Sequence, residues 1–99
     1  MRVNVQAVNF NIHGELGEFI QTRLDKLENY YDKIIHADVY LKVENTSEKA
    51  NKIVEIKVAV PGDGLVVKKK EKSFEEAVDL ATGSLERLLL KRKEKIRAH

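Results

Sequence analysis

Apolar and polar residues alternate at the start of the chain and then change to a helical pattern. The alternation covers residues 2–10, and its period of two predicts a β-strand. After Gly14 the apolar residues return every three or four positions, which predicts a helix over 14–31 with one face on a core. The apolar residues of that face are Leu16, Ile20, Leu24, Leu27 and Tyr31.

Three more strands are predicted after this helix. Apolar and polar residues alternate again over 36–44 and over 54–60, and the polar segment between these stretches predicts a hairpin. Pro61 fixes its own φ and the glycines after it permit positive φ, so residues 61–64 predict a tight turn. A fourth strand is expected over residues 64–72.

The last predicted element is a long helix over 74–95. Ser73 can accept a hydrogen bond from the Glu76 amide while the Glu76 side chain returns to the Ser73 amide, which is a capping box. At 1.5 Å per residue the helix would extend about 33 Å, so its basic end should protrude beyond the sheet. Gly83 weakens a helix by about 1 kcal/mol relative to alanine, and we expect a close approach to the first helix or the sheet to compensate. The apolar stripe consists of Ala77, Val78, Ala81, Leu85, Leu88 and Leu89.

These elements predict an α+β fold with the order β-α-β-β-β-α. Each strand has one apolar and one polar side, so both helices should pack on one face of a four-stranded sheet. A right-handed crossover makes the first two strands parallel if they are neighbours, and hairpins make the others antiparallel, so the sheet should be mixed. The 99 residues, 42% of them hydrophobic, suffice for a single domain over 1–99.

Composition excludes several kinds of chemistry. Cysteine is absent, which rules out disulfides, thiolate metal sites and cysteine nucleophiles. The three histidines lack metal-ligand spacing, and the serines lack the G-x-S-x-G pattern of a nucleophile. We therefore expect no enzyme activity, no metal and no other cofactor. The start of the chain does not read as a signal peptide and no apolar run is long enough to span a bilayer, so we expect a cytoplasmic protein without a membrane partner.

Basic residues are concentrated in the last third of the chain. The whole chain has 18 Lys and Arg against 16 Asp and Glu, a net charge of +2. Residues 1–64 contain eight basic and ten acidic residues, whereas 65–99 contain ten basic and six acidic residues. A solvated surface explains either basic run alone, but the two runs together indicate a polyanionic partner.

The basic residues form rows when they are placed on the predicted elements. Like charges in such rows repel, at about 0.2–0.5 kcal/mol per i,i+4 pair, and binding to phosphates would offset this cost. The first-helix residues would join the last-helix row if the two helices pack side by side. The candidate contacts are Arg23 and Lys26 on the first helix, Lys68, Lys70 and Lys72 on the fourth strand, and Arg87, Lys91, Arg92, Lys93 and Lys95 on the last helix.

RNA is favoured over DNA as the partner. No helix carries the side chains of a DNA recognition helix, so no DNA is expected, whereas structured RNA is recognised through shape, phosphates and 2′-hydroxyls. Tyr30 and Tyr40 are candidates for base stacking, but packing is the preferred interpretation because no RNP signature accompanies them. Tyr31 lies on the apolar stripe and is expected in the core.

Three stretches of the chain together carry a family resemblance. They are FIQTRLDKLENYYDKI at residues 19–34, the alternating DVYLKVE that follows, and the terminal LERLLLKRKEKIRAH. In these stretches, and in length and order of elements, the chain resembles the ribosome hibernation promoting factor family, the relatives of bacterial ribosome-associated inhibitor A. It resembles the short form, which lacks the additional C-terminal domain of long members.

The resemblance implies a function in translation. Family members bind the small ribosomal subunit between head and body, contact 16S rRNA, and block mRNA and A- and P-site tRNA sterically under stress or in stationary phase. The short form acts together with a separate ribosome modulation factor, which is a second candidate partner. By position the resemblance implies rRNA contacts for the candidates on both helices, whereas those on the fourth strand rest on spacing alone.

Two other functions fit the sequence. A general binder of structured RNA would use the same basic residues and would bind naked duplex about as well as ribosomes. A small protein-interaction module would pair an exposed sheet edge with a partner or with itself. Its binding would not depend on the basic residues of the last helix.

Overall fold

The elements occur in the predicted order. The computed structural model describes residues 1–8 and 10–97. Its elements are β1 (Arg2–Val8), α1 (Gly14–Asp25), a 3₁₀ turn (Lys26–Asn29), β2 (His36–Val43), β3 (Lys52–Val60), β4 (Asp63–Glu71) and α2 (Phe74–Arg97).

The four strands form one mixed sheet in the order β1-β2-β3-β4. β1 is parallel to β2, while β2, β3 and β4 pair antiparallel through two hairpins. Gly62 in the β3–β4 turn has a φ of 77°, a backbone conformation that residues other than glycine rarely adopt. The predicted turn and the α+β fold class are therefore confirmed.

One face of the sheet is buried under both helices. Val39 and Leu41 of β2 and Ile56 of β3 are fully buried, and they pack with the apolar stripes of α1 and α2. The opposite face, which we call the open face, carries the even-numbered residues of β1, β2 and β4 and the odd-numbered residues of β3. Pairing register places these residues in rows across the sheet, so side chains far apart in the chain are neighbours there.

The first helix is shorter than the predicted span 14–31. After Asp25 the chain tightens into the 3₁₀ turn, and the amides of Tyr30 and Tyr31 both donate to the Leu27 carbonyl. Leu27 and Tyr31 are nevertheless buried, at 0% and 6% exposure. The apolar spacing thus predicted burial correctly, because a three-residue step also keeps side chains on one face of a 3₁₀ turn.

Strand boundaries differ from prediction by one or two residues, and two of these differences affect the argument. β1 ends at Val8, and the Phe10 ring stacks on Phe74 with 5.2 Å between centroids, which directs the chain towards the start of α2. β4 ends at Glu71, one residue before Lys72. The prediction that Lys72 extends the β4 row is therefore wrong.

Helix α2 begins at the predicted cap and runs back along β4 and β3. The Glu76 amide donates to Ser73 Oγ at 3.1 Å, and the return bond from the Glu76 side chain is not among the hydrogen bonds of the described residues. Leu89 is the last fully buried residue of α2 within 74–95. Leu88, placed on the apolar stripe by its spacing, is 38% exposed.

The prediction that a close approach by the first helix or the sheet compensates for Gly83 is wrong. A Cβ built at this glycine meets nothing within 4 Å outside the local helix backbone. Neither α1 nor the sheet approaches closely enough to require the absence of a side chain. The helix therefore carries the conformational cost of glycine without a packing reason.

Replacing Gly83 with Ala is expected to raise the free energy of unfolding by about 1 kcal/mol, because alanine has the higher helix propensity and space is available. Denaturant unfolding measures the change. The matched control is Gly62→Ala, which should lower stability because its positive φ disfavours a side chain. An unchanged or lower stability for Gly83→Ala would contradict this account of α2.

Candidate nucleic-acid interface

The predicted contact residues do not form one surface, because the sheet separates them. Lys68 and Lys70 alternate with Val67, which is 9% exposed and faces the helices. They therefore lie on the open face. The residues on the helix side are Arg23, Lys26, Arg87, Lys91, Arg92, Lys93 and Lys95.

Three exposed cations form a row on α2, as predicted. Arg87, Lys91 and Lys95 are spaced by four residues, so each is rotated by about 40° from the one before and the row is about 12 Å long. Arg87 donates to Ser84 Oγ at 3.1 Å. Within the described part of the chain, no ion pair includes any of the three. Their charges are therefore available to an external anion.

Arg23 of α1 lies apart from this row, and Lys26 lies at the start of the 3₁₀ turn instead of in α1. Arg23 Nε is 3.0 Å from Asp79 Oδ1 on α2, and its guanidinium lies 4.9 Å from the centre of the Phe19 ring. Arg87 follows Asp79 by eight residues, so the two side chains point about 80° apart around the α2 axis. Lys95 points about 160° away from Asp79 around the same axis. The expectation that Arg23 joins the row is therefore not met, although the two helices do contact each other. Arg23 instead contributes an ion pair between α1 and α2.

Arg92 is held by contacts within the fold. Its Nη2 donates to the Pro61 carbonyl at 2.8 Å, and its Nη1 is 3.2 Å from Asp63 Oδ2. Nε is buried and has no hydrogen-bond partner among the described residues. The neighbouring Tyr31 side chain, followed by Asp63, raises the pKa of Arg92 above its ordinary value. Arg92 therefore fastens α2 to the β3–β4 turn, and its charge is less available than that of Lys91.

The open face carries more cations than the sequence prediction included. Lys70 Nζ is 3.1 Å from Glu44 and 3.4 Å from Glu48, and the hydrogen bond to Glu44 raises the pKa of Lys70. The pairing register places Lys42 and Lys57 on this face as well. The sequence prediction omitted them because it was based on runs of basic residues, and each of these two lysines stands alone in the sequence. The alternation within β2 and β3 was the signal that would have found them.

The tyrosines divide between the two sides of the sheet. Tyr31 is 6% exposed in the core, as predicted. Tyr40 lies half-buried on the open face, where Lys57 Nζ is 5.4 Å from the centre of its ring. Tyr30 is also half-buried, directly after the 3₁₀ turn.

Histidines and acidic residues are dispersed. His36 Nε2 is 3.4 Å from Asp38 Oδ2 on the open face, and His13 precedes α1. Across residues 1–8 and 10–97, no group of three or more histidine, cysteine, aspartate or glutamate side chains is placed to hold a metal ion. No helix in that same part combines the length and the apolar character that crossing a membrane requires.

Comparison with known sequences identifies close counterparts over the whole fold. The family described as "Sigma 54 modulation protein / S30EA ribosomal protein" matches residues 3–97. The ribosome hibernation promoting factor of Pseudomonas putida is 30% identical over 95 residues, covering 96% of this chain and 89% of that protein. The protein of the same name from Salmonella typhimurium is 30% identical over 99 residues and covers all of both chains.

Solved structures show the same fold. A ribosomal subunit interface protein from Coxiella burnetii superposes with a TM-score of 0.83 at 23% identity, covering 95% of this chain and 99% of that one. The N-terminal domain of Protein Y from Thermus thermophilus gives a TM-score of 0.78 at 24% identity, covering 92% and 98%. At these identities the likeness concerns the fold alone.

Replacing Arg92 with Gln is expected to lower the melting temperature, because α2 loses its hydrogen bond and ion pair to the β3–β4 turn. The matched control is Lys91→Gln at the neighbouring exposed position, which should change the free energy of unfolding by no more than about 0.5 kcal/mol. Thermal unfolding followed by circular dichroism compares the two variants. Equal melting temperatures would show that Arg92 does not fasten the helix.

Proposed function

Because the chain belongs to the Sigma 54 modulation protein / S30EA ribosomal protein family, we propose that it is a ribosome hibernation factor. It binds 16S rRNA of the small subunit between head and body, and it inhibits translation under stress or in stationary phase. It does so by occupying the paths of mRNA and of A- and P-site tRNA. Similarity to two proteins named ribosome hibernation promoting factor supports this assignment.

The α2 row is the observation that carries the RNA-binding part of the proposal. Arg87, Lys91 and Lys95 are exposed on the C-terminal half of a helix that continues beyond Leu89, the last fully buried residue within 74–95. Like charges so arranged destabilise a helix slightly when nothing neutralises them. Contact with RNA phosphates neutralises them and releases counterions, which favours binding.

Steric inhibition makes few demands on the protein. The body measures 49 × 25 × 19 Å and is held together by one core that joins the sheet to both helices. A blocking factor needs only to occupy the path and to be held there. Phosphate contacts by the α2 row and Lys26 would hold it, Arg23 would contribute only by exchanging its ion pair with Asp79 for a phosphate, and no reacting group is required.

The two alternatives are distinguishable from this proposal. A general duplex binder would use the same cations but would not prefer the ribosome. Edge pairing at β4 is disfavoured because this strand carries consecutive lysines, and charged edge strands oppose the addition of another strand. Cooperation with a ribosome modulation factor stays a prediction of the family resemblance.

The first test is co-sedimentation with purified small subunits over a series of salt concentrations. Lys91→Gln/Lys95→Gln should weaken binding and flatten the dependence of log K on log salt by about 1.4–1.8, since each phosphate contact contributes about 0.7–0.9. The matched control is Lys33→Gln/Lys49→Gln, which removes two exposed charges away from α2 and should leave the slope nearly unchanged.

Two results of this experiment would contradict the proposal. Failure to co-sediment even at low salt would exclude small-subunit binding. Equal affinity for naked RNA duplex and for small subunits would favour the general RNA-binding domain instead.

A second test addresses the block itself. Small subunits saturated with the protein should lose most binding of a short messenger and initiator tRNA, because the protein occupies the same space. Filter binding of labelled initiator tRNA measures this, with Lys91→Gln/Lys95→Gln requiring a higher concentration for the same effect. Normal acceptance of messenger and tRNA by subunits that demonstrably carry the protein would refute steric inhibition.

A further inference from the structure

The open face has an arrangement of cations that the core does not require. Lys42 and Lys70 lie in one row on either side of Ile53, so their Cα atoms are two strand spacings, about 9.6 Å, apart. Lys68 lies beside this row, and these side chains line a shallow depression of about 520 Å³. The lysine ammonium groups thus surround the Ile53 side chain at one end of the face, together with the Glu44 carboxylate that pairs with Lys70 at 3.1 Å.

An aromatic ring lies next to this depression. Tyr40 precedes Lys42 by two residues on the same face of β2, and its ring is half-buried with the Lys57 ammonium group 5.4 Å from its centre. Tyr40 is central in the sheet, where its register partners are Gln6 and Glu55. Because the Lys57 ammonium group lies over the ring, a base that stacks on Tyr40 must displace it, while Lys42 and Lys68 lie on the same face of the sheet.

Lys42 and Lys68 have no charged or aromatic partner among the described residues, whereas the Lys57 ammonium group lies over the Tyr40 ring and Lys70 is ion-paired. Ion pairs among the described residues involve Lys70 but not Lys42, Lys57 or Lys68. Asp38, an acidic residue of the same face, already accepts a hydrogen bond from Asn4 and pairs with His36. The unpaired lysines therefore favour an external anion as their partner.

We infer that the open face binds a single-stranded segment of RNA, with one base stacked on Tyr40 and phosphates at Lys42 and Lys68. A flat sheet cannot enter the narrow major groove of duplex RNA, whereas unpaired bases stack readily on aromatic side chains. A second copy docked face to face would bring like charges together, and an acidic peptide would offer no base to the ring.

The inference depends on the proposed function for its setting on the ribosome. The body is 19 Å across its smallest dimension, with α2 cations on one side and the open face on the other. Structured rRNA would contact the helix side, and a single strand would lie against the sheet. The domain would then bind between two RNA segments instead of resting on one.

Fluorescence anisotropy with the whole chain and a labelled RNA of adenosine and cytosine tests the inference, because such an RNA does not pair with itself. A length of about 12 nucleotides lies within the site size of flat single-strand binders. Tyr40→Leu keeps an apolar side chain but removes stacking and should weaken binding about tenfold, whereas Tyr40→Phe keeps the ring and should bind like the parent.

The charge variant separates this face from the helix side. Lys42→Gln/Lys68→Gln should reduce the salt slope of oligomer binding by about 1.4, more than Lys91→Gln/Lys95→Gln on the helix side does, and the control Lys33→Gln/Lys49→Gln should leave the slope nearly unchanged. Circular dichroism establishes that each variant is folded. Absence of oligomer binding, or equal binding by Tyr40→Leu and Tyr40→Phe, would overturn the inference. Oligomer binding lost only in the helix-side variant, or equal competition by polyglutamate, would also overturn it.

The two proposals fail separately. If small subunits bind the parent chain, but the open-face variants bind the oligomer as tightly as the parent does, the single-strand site is refuted and the hibernation assignment is not affected. Stacking-dependent oligomer binding without any small-subunit binding would do the reverse.

Discussion

One face of the sheet is buried in the core, and this burial determines on which side each charged strand residue lies. Alternation in β2 sends Val39 and Leu41 inward, where both are fully buried, and therefore sends Tyr40 and Lys42 outward. A one-residue shift of register would exchange these faces and bury lysines. The apolar core thus fixes the chemical character of the open face as firmly as it fixes the fold.

Two arginines connect separate elements on the helix side of the sheet. Arg23 pairs with Asp79 between the two helices, and Arg92 reaches the Pro61 carbonyl and Asp63 in the β3–β4 turn. Both are arginines, whose planar group provides several donors in fixed geometry. Arg87, Lys91 and Lys95 have no such contacts among the described residues, so one helix contains both a structural arginine and an exposed row of cations.

Sequence periodicity predicted most of the fold because burial and period are physically linked. Alternation identified the strands, the three- and four-residue spacing identified the helical stripes, and Ser73 marked the start of α2, where its Oγ accepts from the Glu76 amide. The 3₁₀ turn after Asp25 could not be predicted in this way, since Leu27 and Tyr31 remain buried in either helix type. The expectation for Gly83 was wrong because a glycine within a helix indicates close packing only where another element approaches it.

The candidate site was harder to predict because it depends on relations between elements. Spacing along α2 correctly grouped Arg87, Lys91 and Lys95, but it could not reveal that Arg92 turns towards a hairpin distant in sequence. Lys68 was found from its charged run and Lys42 was missed, although both lie at the same end of the open face. Local patterns show which residues share a face of one element, whereas packing decides which faces meet.

Charge placement matters more here than total charge. A net charge of +2 over 99 residues provides little long-range attraction to a polyanion, and salt screens that attraction beyond about 8–10 Å. The proposed affinity for RNA would therefore come from cations that touch phosphates directly, and such cations are effective only where nearby carboxylates do not neutralise them. The fold meets this condition by pairing Arg23, Lys70 and Arg92 with acids while leaving the α2 row exposed. Specific docking follows from shape and local contact, because a weakly charged body binds poorly wherever its cations do not match the positions of the phosphates.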